Sequence, residues 1–457
     1  MSSNDESKTD EEPFHPLGEE AEENYRELLE EGDHDADLGM EMARDAMRLT
    51  KGELSEAEFY DRYHEDVVEE FGEDDRPMAD EIEAAREEGR LGETLSRFGM
   101  DDESRRDMMK KMGAGAGFLG LGAWGTSESQ EEPNVAAAQD EEDDDDGVQW
   151  GMALDLEVCD GCLSCVVACN AEHNWNEGAN WMYVLAFQDG TVESPTPEEA
   201  DGVRDFNYLI RPCQHCTDAP CEKVCPTTAR HTREEGGLVL TDYDVCIGCR
   251  YCQVACPYGV NYFQWDDPTE EAQEMDEEMQ FDQRDRWVSG SGPRGVMEKC
   301  IFDPARQDGQ MGEEMVGTTA CEEACPPGAI QFGDMNDPES DPRQYLDNVP
   351  LTRAREHDPD DEELQEAIAV LSGDEEAENG EMDEEEAMVL IEAEYGDEAS
   401  QFKLLEEYNT NPNVTYLGNE PGPTAEQVEG PITYDDVGLV DNRKNVLDEK
   451  TVGGPDL

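Results

Sequence analysis

All fifteen cysteines of the 457-residue chain fall between Cys159 and Cys325. Cys159, Cys162, Cys165 and Cys169 have the spacing C-x2-C-x2-C-x3-C. Cys213, Cys216, Cys221 and Cys225 read C-x2-C-x4-C-x3-C, and Cys246, Cys249, Cys252 and Cys256 repeat the first pattern. The fourth group is one short: Cys300, then Cys321 and Cys325. Three groups end in Cys-Pro, at Cys225-Pro226, Cys256-Pro257 and Cys325-Pro326. A [4Fe–4S] cube has four iron corners, each needing a thiolate. C-x2-C-x2-C is a tight loop able to wrap three of them, and the distal cysteine before proline serves a second cluster, so such motifs work in pairs. The spacing therefore predicts an electron carrier with four iron–sulfur clusters. The odd count and the repeated tight spacing argue against disulfides and against structural zinc.

The incomplete group is informative. A Cys-x2-Cys start at Cys300 places the missing ligand at Asp303, in Lys299-Cys-Ile-Phe-Asp-Pro304. Either Asp303 supplies a carboxylate to a [4Fe–4S] cluster, or the corner is empty and the cluster is [3Fe–4S]. The plain alternative is a carboxylate facing solvent in an acid-rich chain. An altered cluster beside three ordinary [4Fe–4S] cubes is the expectation. His173, Trp175, His215 and His231 lie near the motifs and are expected to pack or hydrogen-bond rather than to ligate.

The net charge is −86, from 118 acidic and 32 basic residues. Disorder explains such a composition at the chain ends, but not in the middle, where Trp, Tyr, Phe, Ile and Val lie between the cysteines. A halophilic protein is the better global reading, because at about 1 M salt the Debye length falls to roughly 3 Å and carboxylate repulsion is screened. Folding should then depend on molar salt. Without a basic patch, no nucleic-acid partner is expected.

The elements that must position the cysteines read as α+β: two ferredoxin-like halves, each with two motifs, a helical acidic N-terminal module and an acidic C-terminal extension. Residues 1–99 form the N-terminal module, with helices over Glu19–Glu31, Leu38–Leu49 and Ser55–Phe71. Ser55 and Glu58 make a capping box ahead of the third, and Phe59, Tyr63, Val67 and Phe71 form one apolar stripe that packs on itself or a neighbour. His34 and His64 read as surface residues.

Residues 100–147 carry Ser104-Arg105-Arg106-Asp107-Met108-Met109-Lys110-Lys111, a Gly/Ala-rich run from Met112 to Gly125, and an acidic linker, Gln139–Gly147. The arginine pair before a short apolar run resembles a twin-arginine export signal, with a cleavage site at Ala136-Ala137-Ala138. The run is too short to span a bilayer, which takes about 20 residues. Such signals normally open a chain; here one follows a hundred residues, or the protein starts at Met100.

The cluster domain is 148–345, with strands over Trp181–Phe187, Phe206–Ile210 and Leu238–Thr241 and a polar insertion, Asp267–Arg294. Residues 346–400 are an acidic helical insertion (Asp360–Leu371, Asp383–Tyr395). Residues 401–457 are a tail and a disordered end, the tail reading helix over Phe402–Tyr408 and strand over Val414–Leu417.

Residues 150–338 resemble the four-cluster iron–sulfur subunit of molybdopterin oxidoreductases of the polysulfide, tetrathionate and DMSO reductase type. Cys246-Ile-Gly-Cys-Arg-Tyr-Cys-Gln-Val-Ala-Cys-Pro-Tyr-Gly259 and Phe332-Gly-Asp-Met-Asn-Asp-Pro338 carry the likeness, as does the tail Lys403–Leu417; residues 1–99 and 346–400 lie outside it. The resemblance implies that Cys159, Cys162, Cys165 and Cys325 hold one cluster. Cys169, Cys300 and Cys321, with Asp303 at the odd corner, hold a second. Cys213, Cys216, Cys221 and Cys256 hold a third, and Cys246, Cys249, Cys252 and Cys225 a fourth. It further implies a non-catalytic wire between a molybdopterin catalytic subunit and a membrane quinone-reactive subunit. Peripheral attachment to the outer face of the cytoplasmic membrane follows if the signal is used, and to its cytoplasmic face if it is not. The other expectations are the cluster subunit of a hydrogenase or quinol-oxidising complex, and a zinc or disulfide interaction scaffold.

Overall fold

The computed structural model describes residues 13–32, 34–79, 147–188, 207–269, 275, 277–357, 359, 361–373, 382–396, 399–422 and 425–441. The twin-arginine stretch, its cleavage site, most of the acidic linker and residues 442–457 lie outside them.

Four small sheets bring the cysteine motifs together, and their pairing follows the chain. β1 (Trp150–Asp155) runs just before Cys159, and β8 (Ile330–Asp334) just after Cys325. They are antiparallel neighbours, Met152 opposite Phe332, which puts motif one beside motif four. β4 (Arg230–Thr232) follows Cys225 and β5 (Val239–Thr241) precedes Cys246; their hairpin joins motif two to motif three. β6 (Tyr262–Phe263) and β7 (Met297–Glu298) then tie the end of motif three to the start of motif four. β2 (Tyr183–Gln188) and β3 (Asn207–Arg211) pair antiparallel, with β11 (Glu426–Val428) on the outer edge of β2. Apart from Gln188 every residue of β2 and β3 is buried, and all but the terminal Asn207 and Arg211 of β3 are apolar, as expected of strands covered on both faces.

The tail is structural. β10 (Val414–Leu417) adds parallel to β1, and β9 (Gln401–Phe402) pairs antiparallel with β10, giving the order β8-β1-β10-β9. The strand falls where the sequence placed it. The helix expected over Phe402–Tyr408 does not form: Gln401–Phe402 is strand and Glu406–Tyr408 a single 3-10 turn. Pairing of the backbone with β10 overrides local helix propensity there.

In the N-terminal module, α1 (Gly18–Glu30), α2 (Ala36–Thr50) and α3 (Glu56–Phe71) match the expected helices to within two residues. The Ser55–Glu58 capping box is formed. Phe59, Tyr63 and Val67 are buried, contributing about 1.5–3 kcal/mol each through apolar burial. The module docks on the cluster domain. α2 packs on the short helices Pro220–Lys223 and Tyr251–Val254. Tyr251 Oη donates to the Asp35 carbonyl, Arg250 to the Leu28 carbonyl, and Lys223 pairs with Glu56 at 2.9 Å. Gly39 is required by this contact, since a Cβ there would lie 2.6 Å from Tyr251 Cε1. His64 is buried against Asp74 at 2.9 Å and not on the surface as expected; His34 is half-buried beside Glu70.

Two helices that composition did not reveal, Asp341–Asp347 and Val349–His357, lead from the cluster domain into the acidic insertion. Arg353, buried, ties the second to β1 by reaching Asp155 and Glu157. Helices Glu362–Leu371 and Glu384–Tyr395 form near their expected bounds and share a small core of Ala354, Ala367, Val370, Ala387 and Ile391.

Candidate metal centre

One backbone device recurs at all four motifs. The residue before the second ligand position is left-handed: Gly161 (φ 66°), His215 (φ 40°), Gly248 (φ 68°) and Phe302 (φ 59°). The turn directs amides back at sulfur, so that Cys159, Cys246 and Cys300 accept from the amides of Gly161, Gly248 and Phe302. Glycine is needed at Gly248, where a Cβ would meet the Gly295 carbonyl oxygen at 2.0 Å. At the fourth motif the same turn places Asp303 where the other three present Cys162, Cys216 and Cys249.

The turns and sheets gather the thiols in four sets. Cys213, Cys216, Cys221 and Cys256 line one cavity with Tyr258 and Lys299. Cys225, Cys246, Cys249 and Cys252 line another with Arg230 and Met297. Cys159, Cys162, Cys165 and Cys325 lie close enough to act on one another's charge, as do Cys169, Cys300, Cys321 and Asp303. Neighbouring sets also act on one another. Cys165 acts on Cys169, linking the first to the second; Cys213 acts on Cys300, linking second to third; Cys252 acts on Cys221, linking third to fourth.

All fifteen cysteines are unbridged, although the sets are crowded. Burial, reinforced by neighbouring thiols, pushes Cys159 and Cys300 up to about 12 and Cys246 up to about 11. Such a cage disfavours bare thiolates, and bound cations reverse that balance. The donor set and its amide hydrogen bonds fit iron–sulfur clusters.

Asp303 does not face solvent. It is 7% exposed. His173 Nε2 donates to Oδ1 at 2.7 Å, the Ala320 amide donates to Oδ2 at 2.9 Å, and Arg306 Nε stands 3.9 Å away. Burial alone would raise its carboxyl, but His173, the amide and Arg306 hold it below the ordinary value. His173 is fixed in turn, stacked on Trp181 at 4.9 Å and bonded to Ser289. Arg306 is clamped by Glu172, Glu323 and Thr318.

The other singled-out residues also pack and bond. His215 stacks on Phe302 at 3.8 Å, bonds the Cys300 carbonyl and accepts from the Val239 amide. His231 bonds the Ala229 carbonyl and accepts from Arg284, while Trp175 packs on Trp181. Sequence reasoning overlooked the buried cations Arg211, Arg230 and Lys299. In so acidic a chain a basic residue among cysteines was the available clue: Arg230 stands between Cys225 and Cys246, and Lys299 precedes Cys300.

Fold and centre together define a ferredoxin-type electron carrier. The family described as 4Fe-4S dicluster domain matches residues 204–284. A second, described as N-terminal region of 4Fe-4S ferredoxin iron-sulfur binding, matches 15–79, so the N-terminal module has relatives of its own. Residues 1–99 do not lie wholly outside family likeness, as the motifs alone suggested. The protein is 41% identical to the menaquinone reductase iron–sulfur cluster-binding subunit of Nitratidesulfovibrio vulgaris, over 42% of this chain and 78% of that protein. It is 38% identical to the putative dimethyl sulfoxide reductase iron–sulfur subunit of Halobacterium salinarum, over 43% and 70%. It is 32% identical to a polysulfide reductase chain of Wolinella succinogenes, over 46% and 88%. The protein belongs to this family of iron–sulfur electron-transfer subunits of oxidoreductase complexes.

Proposed function

We propose that the chain carries four clusters in a row and relays single electrons between two partner subunits. Cluster I is held by Cys159, Cys162, Cys165 and Cys325. Cluster II is held by Cys169, Cys300 and Cys321 beside Asp303. Cluster III is held by Cys213, Cys216, Cys221 and Cys256, and cluster IV by Cys246, Cys249, Cys252 and Cys225. The observation that carries the reading is the burial gradient. Every thiol of sets II and III is buried, whereas Cys159, Cys162, Cys325, Cys246 and Cys249, all from sets I and IV, are half-exposed. A row with buried middle and accessible ends has the form of a relay.

Bound clusters supply one-electron oxidation and reduction. The chain's own residues hold them at fixed places, exclude water from the middle pair and set the charge around each. Three ordinary cubes and one altered cluster are proposed. Both Asp303 oxygens are committed to His173 and Ala320, which favours an empty iron corner, [3Fe–4S], over carboxylate ligation. The domain bounds given above and the use of the twin-arginine stretch for export to the outer face of the cytoplasmic membrane belong to the same proposal.

The partners proposed are a molybdopterin catalytic subunit and a membrane quinone-reactive subunit. No described helix is long and apolar enough to cross a membrane. Val245 and Ile247 flank Cys246 as exposed apolar side chains, and Trp265 is 43% exposed beside Arg250. That supports the cluster IV end as the face toward the membrane subunit. A second reading, the cluster subunit of a complex working on quinone or quinol, is favoured by the name of the menaquinone reductase relative. Purification from the native host under anaerobic, molar-salt conditions, with metal analysis and identification of co-purifying chains, separates them. Molybdenum with a large companion chain supports the first; quinone-linked electron transfer without molybdenum supports the second. A colourless, zinc-bearing protein overturns both.

A further inference from the structure

We infer that Arg230 is a shared cation between clusters III and IV that raises the reduction potential of both. The inference rests on the cluster assignment just proposed. Arg230 opens β4, in the hairpin that joins motif two to motif three, and is 1% exposed. Its amide donates to Cys225 Sγ at 3.3 Å, and its Nη2 lies 3.8 Å from Cys252 Sγ, both in set IV. Its hydrogen-bond partner Asn261 lines the cavity of set III, and the thiols of Cys252 in set IV and of Cys221 and Cys213 in set III act on its charge.

A buried guanidinium needs its five N–H groups satisfied and its charge opposed. Within the protein, Arg230 bonds the neutral Asn261 Oδ1 at 2.8 Å through Nη2, while Nε and Nη1, both buried, have no hydrogen-bond partner among the described residues. Among those residues no carboxylate hydrogen-bonds to it. Two other buried arginines of the region are neutralised, Arg233 by Asp308 at 2.6 Å and Arg306 by Glu172 and Glu323; Arg211 shares the unpartnered Nε and Nη1 of Arg230 but makes no hydrogen bond to a cysteine sulfur among the described residues. Left unopposed, such a buried charge is strongly destabilising. Thiolate-held clusters on both sides supply the opposing charge and sulfur acceptors for the free N–H groups.

Charge of this kind acts on electron affinity directly. Reducing a cluster adds one electron and one negative charge, and a fixed cation beside it stabilises the reduced form more than the oxidised one. Net charge and hydrogen bonds to sulfur are recognised determinants of cluster potential. When an electron passes between III and IV, one is oxidised and the other reduced by one electron. Arg230 stays protonated throughout and acts on both, so it raises the pair together while disturbing the step between them little. Arg230 is a positioning and tuning residue, not a ligand.

The test is a potentiometric titration followed by electron paramagnetic resonance on full-length, iron-loaded protein in molar salt, for wild type, Arg230→Met, Arg230→Gln and Arg230→Lys. Iron content and visible absorption of the wild type come first; their failure overturns the cluster assignment itself. Given four clusters, the neutral variants should lower the reduction equilibrium constant of two clusters at least tenfold, 59 mV for one electron. The clusters on the Cys159–Asp303 side should stay in place, and Arg230→Lys, which keeps the charge, should shift the pair less. Neutral variants with full iron that titrate within twofold of wild type would overturn the inference, as would a lysine variant displaced as far as methionine. If Arg230→Met loses iron, the Gln–Lys comparison decides. Loss of the pair in every neutral variant would make Arg230 an assembly residue and also overturn it.

Discussion

Replacing Asp303 by alanine removes the acceptor of two buried donors, His173 Nε2 at 2.7 Å and the Ala320 amide at 2.9 Å. A buried donor left without a partner costs about 1–3 kcal/mol, so the pair amounts to about 2–6 kcal/mol. His173 cannot turn to another acceptor, because its ring is stacked on Trp181 and bonded to Ser289. Arg306 adds little to the loss, since it keeps Glu172, Glu323 and Thr318. Asparagine retains one acceptor oxygen and should cost about half as much, 1–3 kcal/mol. Set against a typical total of about 5–15 kcal/mol, the alanine change is large. Denaturant unfolding of iron-loaded protein in molar salt measures it, with electron paramagnetic resonance of the oxidised protein alongside. The wild type should show a [3Fe–4S] signal, and Asp303→Cys should replace it with an ordinary cube. An alanine variant within about 0.5 kcal/mol of wild type, the usual range for surface changes, would refute the anchoring described for the carboxylate. A wild type without the [3Fe–4S] signal, and with iron content unchanged by Asp303→Ala, would remove Asp303 from the cluster.

Gly39→Leu should undock the N-terminal module, because even its Cβ meets Tyr251 at 2.6 Å; overpacking costs about 1–3 kcal/mol, read as faster proteolysis of residues 13–79. Acid should loosen the same module. Burial opposes ionisation of Asp45 and Asp74, but Tyr63, Arg48 and Arg62 around the one, and Arg76 and His64 around the other, hold both carboxyls below the ordinary 3.8. A depressed carboxyl stabilises the fold above its unfolded value and loses that contribution as pH falls through the folded one. Circular dichroism melts should therefore show a sharp loss below about pH 4, reduced in Asp45→Asn. Native circular dichroism retained in low-salt buffer would contradict the salt requirement read from the net charge of −86.

The site was more legible than the scaffold. Cysteine spacing is a local property, and β1 with β8 and β4 with β5 bracket the motifs directly. Position 303 stood out because a turn of fixed length leaves one place for the second ligand. The buried cations were missed because their role depends on what surrounds them: Arg233 has an acid partner and Arg230 has cysteine sulfurs instead, which no local pattern records. His64 was misplaced for a related reason, its burial depending on Asp74 and Arg76 at the far end of α3. The helices Asp341–Asp347 and Val349–His357 were hidden by Pro342 and Pro350, which sit in first turns, where proline is tolerated, but read as breakers in sequence.

The parallel pairing of β10 with β1 has a consequence for the order of events during synthesis. The chain emerges from the ribosome N-terminus first, so every cysteine is available well before Val414–Leu417 has been made. For that interval β1 has β8 on one side and an open edge on the other, next to the first ligand loop. The edge is closed by a segment that carries no ligand, and Asn413 beside it bonds the Gln214 and His215 carbonyls at motif two. Ligand supply and final closure are thus assigned to separate stretches of chain, with the acidic insertion as the delay between them.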